Sequence, residues 1–349
     1  MSVSDRLQTT KPNARQGYVL IGALLFALLL WQPGFALETA QFVGLGFVHV
    51  APLVIPGILL AAWITVSGAS DRVAAIFHGN TARTVLAATI VGALLPVCGV
   101  TVLPLMAGLL AAGVPLAPVM AFWLASPITG PTMLSATVAT LGWEYAVGKT
   151  ASAIGLGLLG GSATALFAQR DWARSPLRSN RIVAALGSGC GPCGTGETRF
   201  EPRIWRSADR RQRFWGDTWS VARLIVIVLI PAFTAEHLLN SWLQPDAVAG
   251  FFGRDSAFAV PIAVFVGGPA YIDGYAALPL ARALLDHGMS PGAAMAFLVS
   301  GGVVSIWGAM AIFPVLRIKP FLLYLGLAAI GSMLSGWGFG AAIYAVNGP

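Results

Sequence analysis

The sequence predicts an all-α polytopic membrane protein built from two inverted repeats, each with a re-entrant helical hairpin. Three observations carry that reading. Hydrophobic residues make up 56% of the 349 residues and charged residues 10%, with a mean hydropathy of +0.76, whereas soluble domains carry about 25% charged residues. Apolar stretches approaching the ~20 residues that a bilayer span needs recur along the chain. The chain also repeats itself at an offset of 175 residues: Leu103-Pro104-Leu105 returns as Leu278-Pro279-Leu280, Gly113 as Gly288, and Met120-Ala121-Phe122 as Met295-Ala296-Phe297. The same offset maps Gly92 onto Gly267, Gly99 onto Gly274 and Pro56 onto Pro231, so that residues 42–126 are a copy of 217–301. Duplicated membrane units with helix breakers at matching positions mark secondary transporters and point to their binding sites.

Residues 1–41 open with a tail carrying Arg6, Lys11 and Arg15, followed by an apolar run from Tyr18 to Trp31. The run ends at Gln32-Pro33-Gly34 without a small-x-small cleavage site, which predicts an uncleaved first helix. The first repeat, 42–169, starts with a span over 42–67. Next comes 84–112, interrupted by Pro96, Cys98, Gly99 and Pro104. Two halves of about 14 residues rise only about 21 Å each, short of a hydrocarbon core of about 30 Å, so this stretch reads as a re-entrant hairpin. Spans at 115–142 and 150–169 complete the repeat.

A connector over 170–216 then holds ten of the 21 basic residues. The positive-inside rule makes it a cytoplasmic loop and accounts for the net charge of +7 without a nucleic-acid partner. Its Gly, Pro and Ser content reads as a partly disordered link. The second repeat, 217–349, runs through a span at 217–244, a hairpin at 257–286, and spans at 291–316 and 320–346. Walking the charges along this path places 18 basic residues in the cytoplasm and leaves Lys149, Arg254 and Arg282 elsewhere. The N-terminus is then cytoplasmic in a bacterial inner membrane, with about seven full spans, which topology counting registers as about eight to eleven. The two copies cross the membrane in opposite directions.

The hairpin tips are where chemistry is expected. Tip one is Leu95-Pro96-Val97-Cys98-Gly99-Val100-Thr101 and tip two Ala270-Tyr271-Ile272-Asp273-Gly274-Tyr275-Ala276. Pro96, Gly99 and Gly274 break the helix and let the backbone turn, exposing N–H and C=O groups. Cys98 corresponds to Asp273. A carboxylate at bilayer depth is costly and by default functional, and burial raises its pKa, which suits Asp273 to carrying a proton; a surface or helix-capping Asp is the plainer alternative. Cys98 is either a soft ligand or a small buried hydrophobe. Thr101, Tyr271 and Tyr275 stand in the tips as further solute contacts. A second polar break follows each hairpin, Ala125-Ser126-Pro127-Ile128-Thr129-Gly130-Pro131 and Ser300-Gly301-Gly302-Val303-Val304-Ser305. The hydroxyls of Ser126, Thr129 and Ser300 serve either a solute or the backbone groups that Pro and Gly leave unpaired.

The run Gly92-Ala-Leu-Leu-Pro96-Val-Cys98-Gly-Val-Thr-Val-Leu-Pro104-Leu, with Gly113-Val-Pro115 and Ala121-Phe-Trp-Leu-Ala-Ser126-Pro127, resembles the predicted permease family that includes organoarsenical efflux permeases. Gly288-Met-Ser-Pro291-Gly-Ala-Ala-Met-Ala-Phe297-Leu resembles it in the second half. The resemblance implies an inner-membrane permease, in some members an exporter of trivalent organoarsenicals captured by thiols. Members often carry a Cys-x-Cys pair at the first hairpin; here Pro96 and Val100 leave Cys98 single, without the second thiol that dithiol capture needs.

Cys190-Gly191-Pro192-Cys193 lies in the basic loop. Its spacing suits soft-metal capture or thiol exchange, though loop-forming glycines flank it where a thioredoxin site needs a strand and a helix. No phosphate loop, His-Glu-x-x-His or serine triad is present, so neither an enzyme nor a cofactor is expected. The reading is proton-coupled secondary transport, in the efflux direction, of a small soft or thiol-reactive solute: a metalloid, a heavy metal or a sulfur oxyanion. The alternatives are a membrane thiol–disulfide protein using Cys190 and Cys193, and a non-transporting subunit or sensor. The bilayer is the one partner the composition demands; a second subunit or a homo-oligomer stays open.

Overall fold

Apolar helix-forming runs punctuated by Pro, Gly and Asn set the elements of this chain. A computed structural model describes residues 33–68, 79–95, 102–111, 113–179, 201, 203–242, 258–268, 277–304, 309 and 312–347. Its helices in the first copy are α1 (Pro33–Ser67), α2 (Thr81–Leu94), α3 (Val102–Ala111), α4 (Leu116–Ala125), α5 (Pro131–Leu141) and α6 (Trp143–Ala165). A short α7 (Asp171–Arg174) and a 3-10 turn (Ile204–Arg206) lie in the basic connector. The second copy holds α8 (Ala208–Trp242), α9 (Ala259–Gly267), α10 (Ala277–Asp286), α11 (Pro291–Val303) and α12 (Ile318–Asn347). Among the described residues the β contribution is one bridge, Leu177 with Leu316. The chain divides into two compact units, 1–49 and 50–349. The described part of the first is helical from Pro33; the second holds the described parts of both hairpins.

The 175 offset governs helix boundaries as well as sequence. α1 and α8 both have 35 residues and start at 33 and 208; α3 and α10 start at 102 and 277, α4 and α11 at 116 and 291, α6 and α12 at 143 and 318. The correspondence therefore runs past residue 126, where identity fades. Capping repeats too. α3 ends on Gly113 (φ 87°) and α10 on Gly288 (φ 96°), a left-handed conformation that glycine adopts without strain. In each, the glycine N–H and the next N–H close back on the helix: Gly113 to Leu110 and Val114 to Leu109, Gly288 to Leu285 and Met289 to Leu284. Ser290 caps α11 by accepting from the Ala293 N–H, with Pro291 in the first turn, where its missing N–H costs nothing.

Packing repeats with the same precision. α2, α4 and α6 pack together, as do α9, α11 and α12. A Cβ on Gly92 would lie 2.7 Å from the Phe122 carbonyl oxygen, and one on Gly267 2.9 Å from that of Phe297. The absent side chain lets the backbones touch. On Gly161 a Cβ would meet Val85 and Ala121; on Gly336 it would meet Val260 and Ala296, the partners the offset requires.

Among the described residues, Ile318–Val346 is long and apolar enough to cross a membrane, while Thr81–Leu94, Leu116–Ala125 and Pro291–Val303 are shorter apolar helices. The expected span 115–142 is in fact two helices, α4 and α5, of 10 and 11 residues. The break between them spans 126–130, and Gly130-Pro131 restarts the helix. Large apolar side chains such as Leu86, Ile90, Leu94, Leu322, Ile330 and Leu334 are exposed along the outer faces of α2 and α12. Such continuous apolar surface suits acyl chains better than water.

The ends of the basic connector are ordered. The Arg178 N–H donates to the Val315 carbonyl and its Nε to that of Leu316 (2.6 Å), while the Arg317 N–H returns a bond to Pro176. At the far end residues 208–216 are already the first turns of α8.

Candidate functional site

Pro127 and Gly302 are related by the 175 offset, and a Cβ on Gly302 would lie 3.2 Å from the Pro127 carbonyl oxygen. The first polar break thus touches the last turn of α11, which stays helical through Ser300-Gly301-Gly302 where a break was expected. Leu156 and Gly331 are likewise related and likewise in contact, a Gly331 Cβ falling 2.7 Å from Leu156 Cγ. Two pairs of corresponding residues are thus in contact between the copies. Eight residues before Leu156 and eight after Gly331, Gly148 packs on Phe339, so α6 and α12 run antiparallel where they pack.

The three predicted hydroxyls are buried, Ser126 and Thr129 at the first break and Ser300 in the last turns of α11. Ser126 Oγ donates to the Trp123 carbonyl (3.5 Å) and Ser300 Oγ to that of Phe297 (3.2 Å). Thr129 Oγ1 reaches across to the Ala93 carbonyl at 2.7 Å, one of the free carbonyls at the C-terminal end of α2. In the second copy Val304 replaces Thr129, and a Cβ on Gly268, the counterpart of Ala93, would lie 3.0 Å from the Val304 carbonyl oxygen. The approach is the same without the hydroxyl. All three hydroxyl protons serve backbone carbonyls, leaving oxygen lone pairs for any further donor. Cys98, Thr101, Tyr271, Asp273, Tyr275 and the hairpin residues Pro96, Gly99 and Gly274 lie outside the described residues, as do Cys190 and Cys193. Among the described residues no group of three or more His, Cys, Asp or Glu stands close enough to hold a metal ion.

Sequence reasoning missed Lys149. It sits in the second turn of α6, 3% exposed, and is the buried charged side chain among the described residues. It borders a cavity of about 20 Å³ together with Pro127, Ile128 and Met133 from the first copy and Gly267, Phe297, Gly301 and Gly302 from the second. No ion pair engages it among the described residues. The available signal was a lone cation, six residues into a helix that starts at Trp143 instead of 150. The offset counterpart of Lys149 is Tyr324, fully packed, its ring 5.0 Å from that of Trp123 and its hydroxyl donating to the Val303 carbonyl.

A family model described as a predicted permease, ArsP_1, matches residues 36–340. The chain is 24% identical over 304 residues to the UPF0718 protein MJ0584 of Methanocaldococcus jannaschii, covering 75% of this chain and 83% of that protein. It is 30% identical over 100 residues to the UPF0718 protein YcgR of Bacillus subtilis, covering 29% of this chain and 34% of the other. No solved structure matches.

Proposed function

The chain belongs to the predicted permease family, and from that premise we propose that it is an inner-membrane secondary transporter, two inverted repeats exporting a small soft or thiol-reactive solute, such as a metalloid species, against a proton gradient. The observation that carries this reading is the contact of Pro127, in the first break, with its counterpart Gly302, in the last turn of α11. The non-helical stretch 126–130, packed against the end of α11, puts irregular backbone at membrane depth in this reading, where it is tolerated only beside protein or a wet cavity. The antiparallel crossing of α6 and α12 supports the inverted relation of the copies. A site at the junction of inverted repeats can be opened to either face by rocking one repeat against the other.

In this mechanism Cys98 supplies a soft ligand from the first hairpin and Asp273 carries the coupling proton from the second, with Thr101, Tyr271 and Tyr275 completing the solute's surroundings. Ser126, Thr129 and Ser300 hold the backbone of the breaks and offer lone pairs to the solute. The domain plan is a cytoplasmic tail with a first helix to 41, repeats at 42–169 and 217–349, and the basic loop 170–216 between them, carrying Cys190 and Cys193 as a soft-metal pair on the cytoplasmic side.

Proteoliposomes holding the full-length protein test the reading. Efflux of a trivalent methylated arsenical, arsenite or antimonite is expected to require a proton gradient, to fail in Cys98→Ser and Asp273→Asn, and to persist in the Cys190→Ser/Cys193→Ser double variant. Dependence on Cys190 and Cys193 alone would instead favour thiol–disulfide chemistry in the loop.

A further inference from the structure

The sequence offset separates two explanations for the buried ammonium of Lys149. Broken helices leave carbonyls that need donors, and in the second copy a neutral group does that work: Tyr324 donates to the Val303 carbonyl. Under the offset the equivalent carbonyl of the first copy belongs to Ile128, which borders the same cavity as Lys149. Backbone repair at this place therefore needs only a hydroxyl. Lys149 brings a full charge and three donors, 97% withdrawn from solvent, to a hollow that its counterpart position fills with the Tyr324 and Trp123 rings. The first turn of α5, through Met133, borders the same space and adds the positive end of a helix to it. The hollow lies where Pro127 meets Gly302.

We infer that Lys149 is the charge-selecting residue of the transport path and that the solute crosses as a small oxyanion of a metalloid or of sulfur, not as a metal cation. The inference rests on the permease reading above and narrows its substrate class. A fixed ammonium in a low-dielectric surround repels a metal ion and attracts an anion, and an oxyanion offers acceptors to all three of its donors. At about 20 Å³ the hollow has room for one water and not for an oxyanion, so the first break and the end of α11 part when solute reaches Lys149.

Full-length protein in liposomes, given thiosulfate, arsenate, uncharged arsenous acid and cadmium ion as separate probes, tests this. Wild type is expected to move thiosulfate or arsenate, with the active one of the two identifying the source of the oxyanion, and cadmium is expected neither to cross nor to compete. Lys149→Arg should keep the flux, whereas Lys149→Gln, at unchanged elution volume, should lose it ~tenfold or more. Movement of cadmium or arsenous acid without either oxyanion overturns the inference and leaves the permease reading standing. No flux of any probe, here or with the trivalent arsenicals above, removes both. Undiminished flux in Lys149→Gln overturns the inference, and so does recovery of its flux on adding Asp273→Asn, which would make Lys149 an internal counter-ion. The comparison of probes in wild type decides the matter even where a variant fails to fold.

Discussion

Position 149 in the first copy and position 324 in the second occupy equivalent places, yet one is a lysine beside a hollow and the other a tyrosine locked between a ring and a carbonyl. Around them the copies are alike to the level of single contacts: Gly92 against Phe122 and Gly267 against Phe297, Gly161 against Ala121 and Gly336 against Ala296. Duplication therefore conserved the close backbone approaches that hold the scaffold. The difference is concentrated where the first break meets the end of α11. One half of the junction is filled and neutral, and the other is open and charged, as expected if the first hosts structure and the second hosts chemistry.

The largest effect should come from the contacts the copies share. A Cβ on Gly92 or Gly267 meets a backbone oxygen within 2.9 Å, which no rotamer change relieves. Gly92→Val and Gly267→Val are each expected to lose about 1–3 kcal/mol or more, read as a lower thermal midpoint of the detergent-solubilised protein. A loss confined to one of them would break the equivalence of the copies. A smaller and opposite-signed pair of effects should mark the position where the copies differ. Tyr324→Phe strands the Val303 carbonyl and should cost about 1–3 kcal/mol. Lys149→Met removes a buried charge with no ion pair among the described residues, so stability should hold or rise. If Lys149→Met destabilises as much as Tyr324→Phe, both side chains serve backbone repair and the contrast is lost.

The repeat was legible because close packing writes itself into sequence: only glycine fits at Gly92 and Gly267, and only glycine turns easily at Gly113 and Gly288. The first polar break was legible for the same reason, through Pro127 and Gly130, whereas Gly301-Gly302 stayed inside α11 because glycine permits a break without enforcing one. Helix starts beyond residue 126 were not. Gly142-Trp143-Glu144-Tyr145 reads as a membrane interface, yet α6 begins at Trp143, with Tyr145 packed on Phe339 at 4.9 Å. Lys149 was thereby counted with the loops. The break within the span 115–142 was visible, but not that it would end one helix and start another, of 10 and 11 residues. That Lys149, the first break and the end of α11 share one hollow depends on tertiary packing, which no spacing along the chain encodes.

The smallest expected effect tests whether the copies differ in structure at their breaks or only in charge. Thr129 spans from the first break to the Ala93 carbonyl at 2.7 Å, whereas Val304 holds the same place in the second copy with no hydroxyl. Thr129→Val gives the first break the side chain that the second already has. The lost bond should cost about 0.5–1.5 kcal/mol, rising toward 3 only if the Ala93 carbonyl finds no water, because an unsatisfied buried acceptor carries its full desolvation penalty. Thermal midpoints of wild type, Thr129→Val and Thr129→Ser distinguish the two, since serine restores a hydroxyl without the methyl group. A serine variant as weak as valine would mean that Thr129 acts by packing, and that the two breaks are built alike apart from the charge beside them.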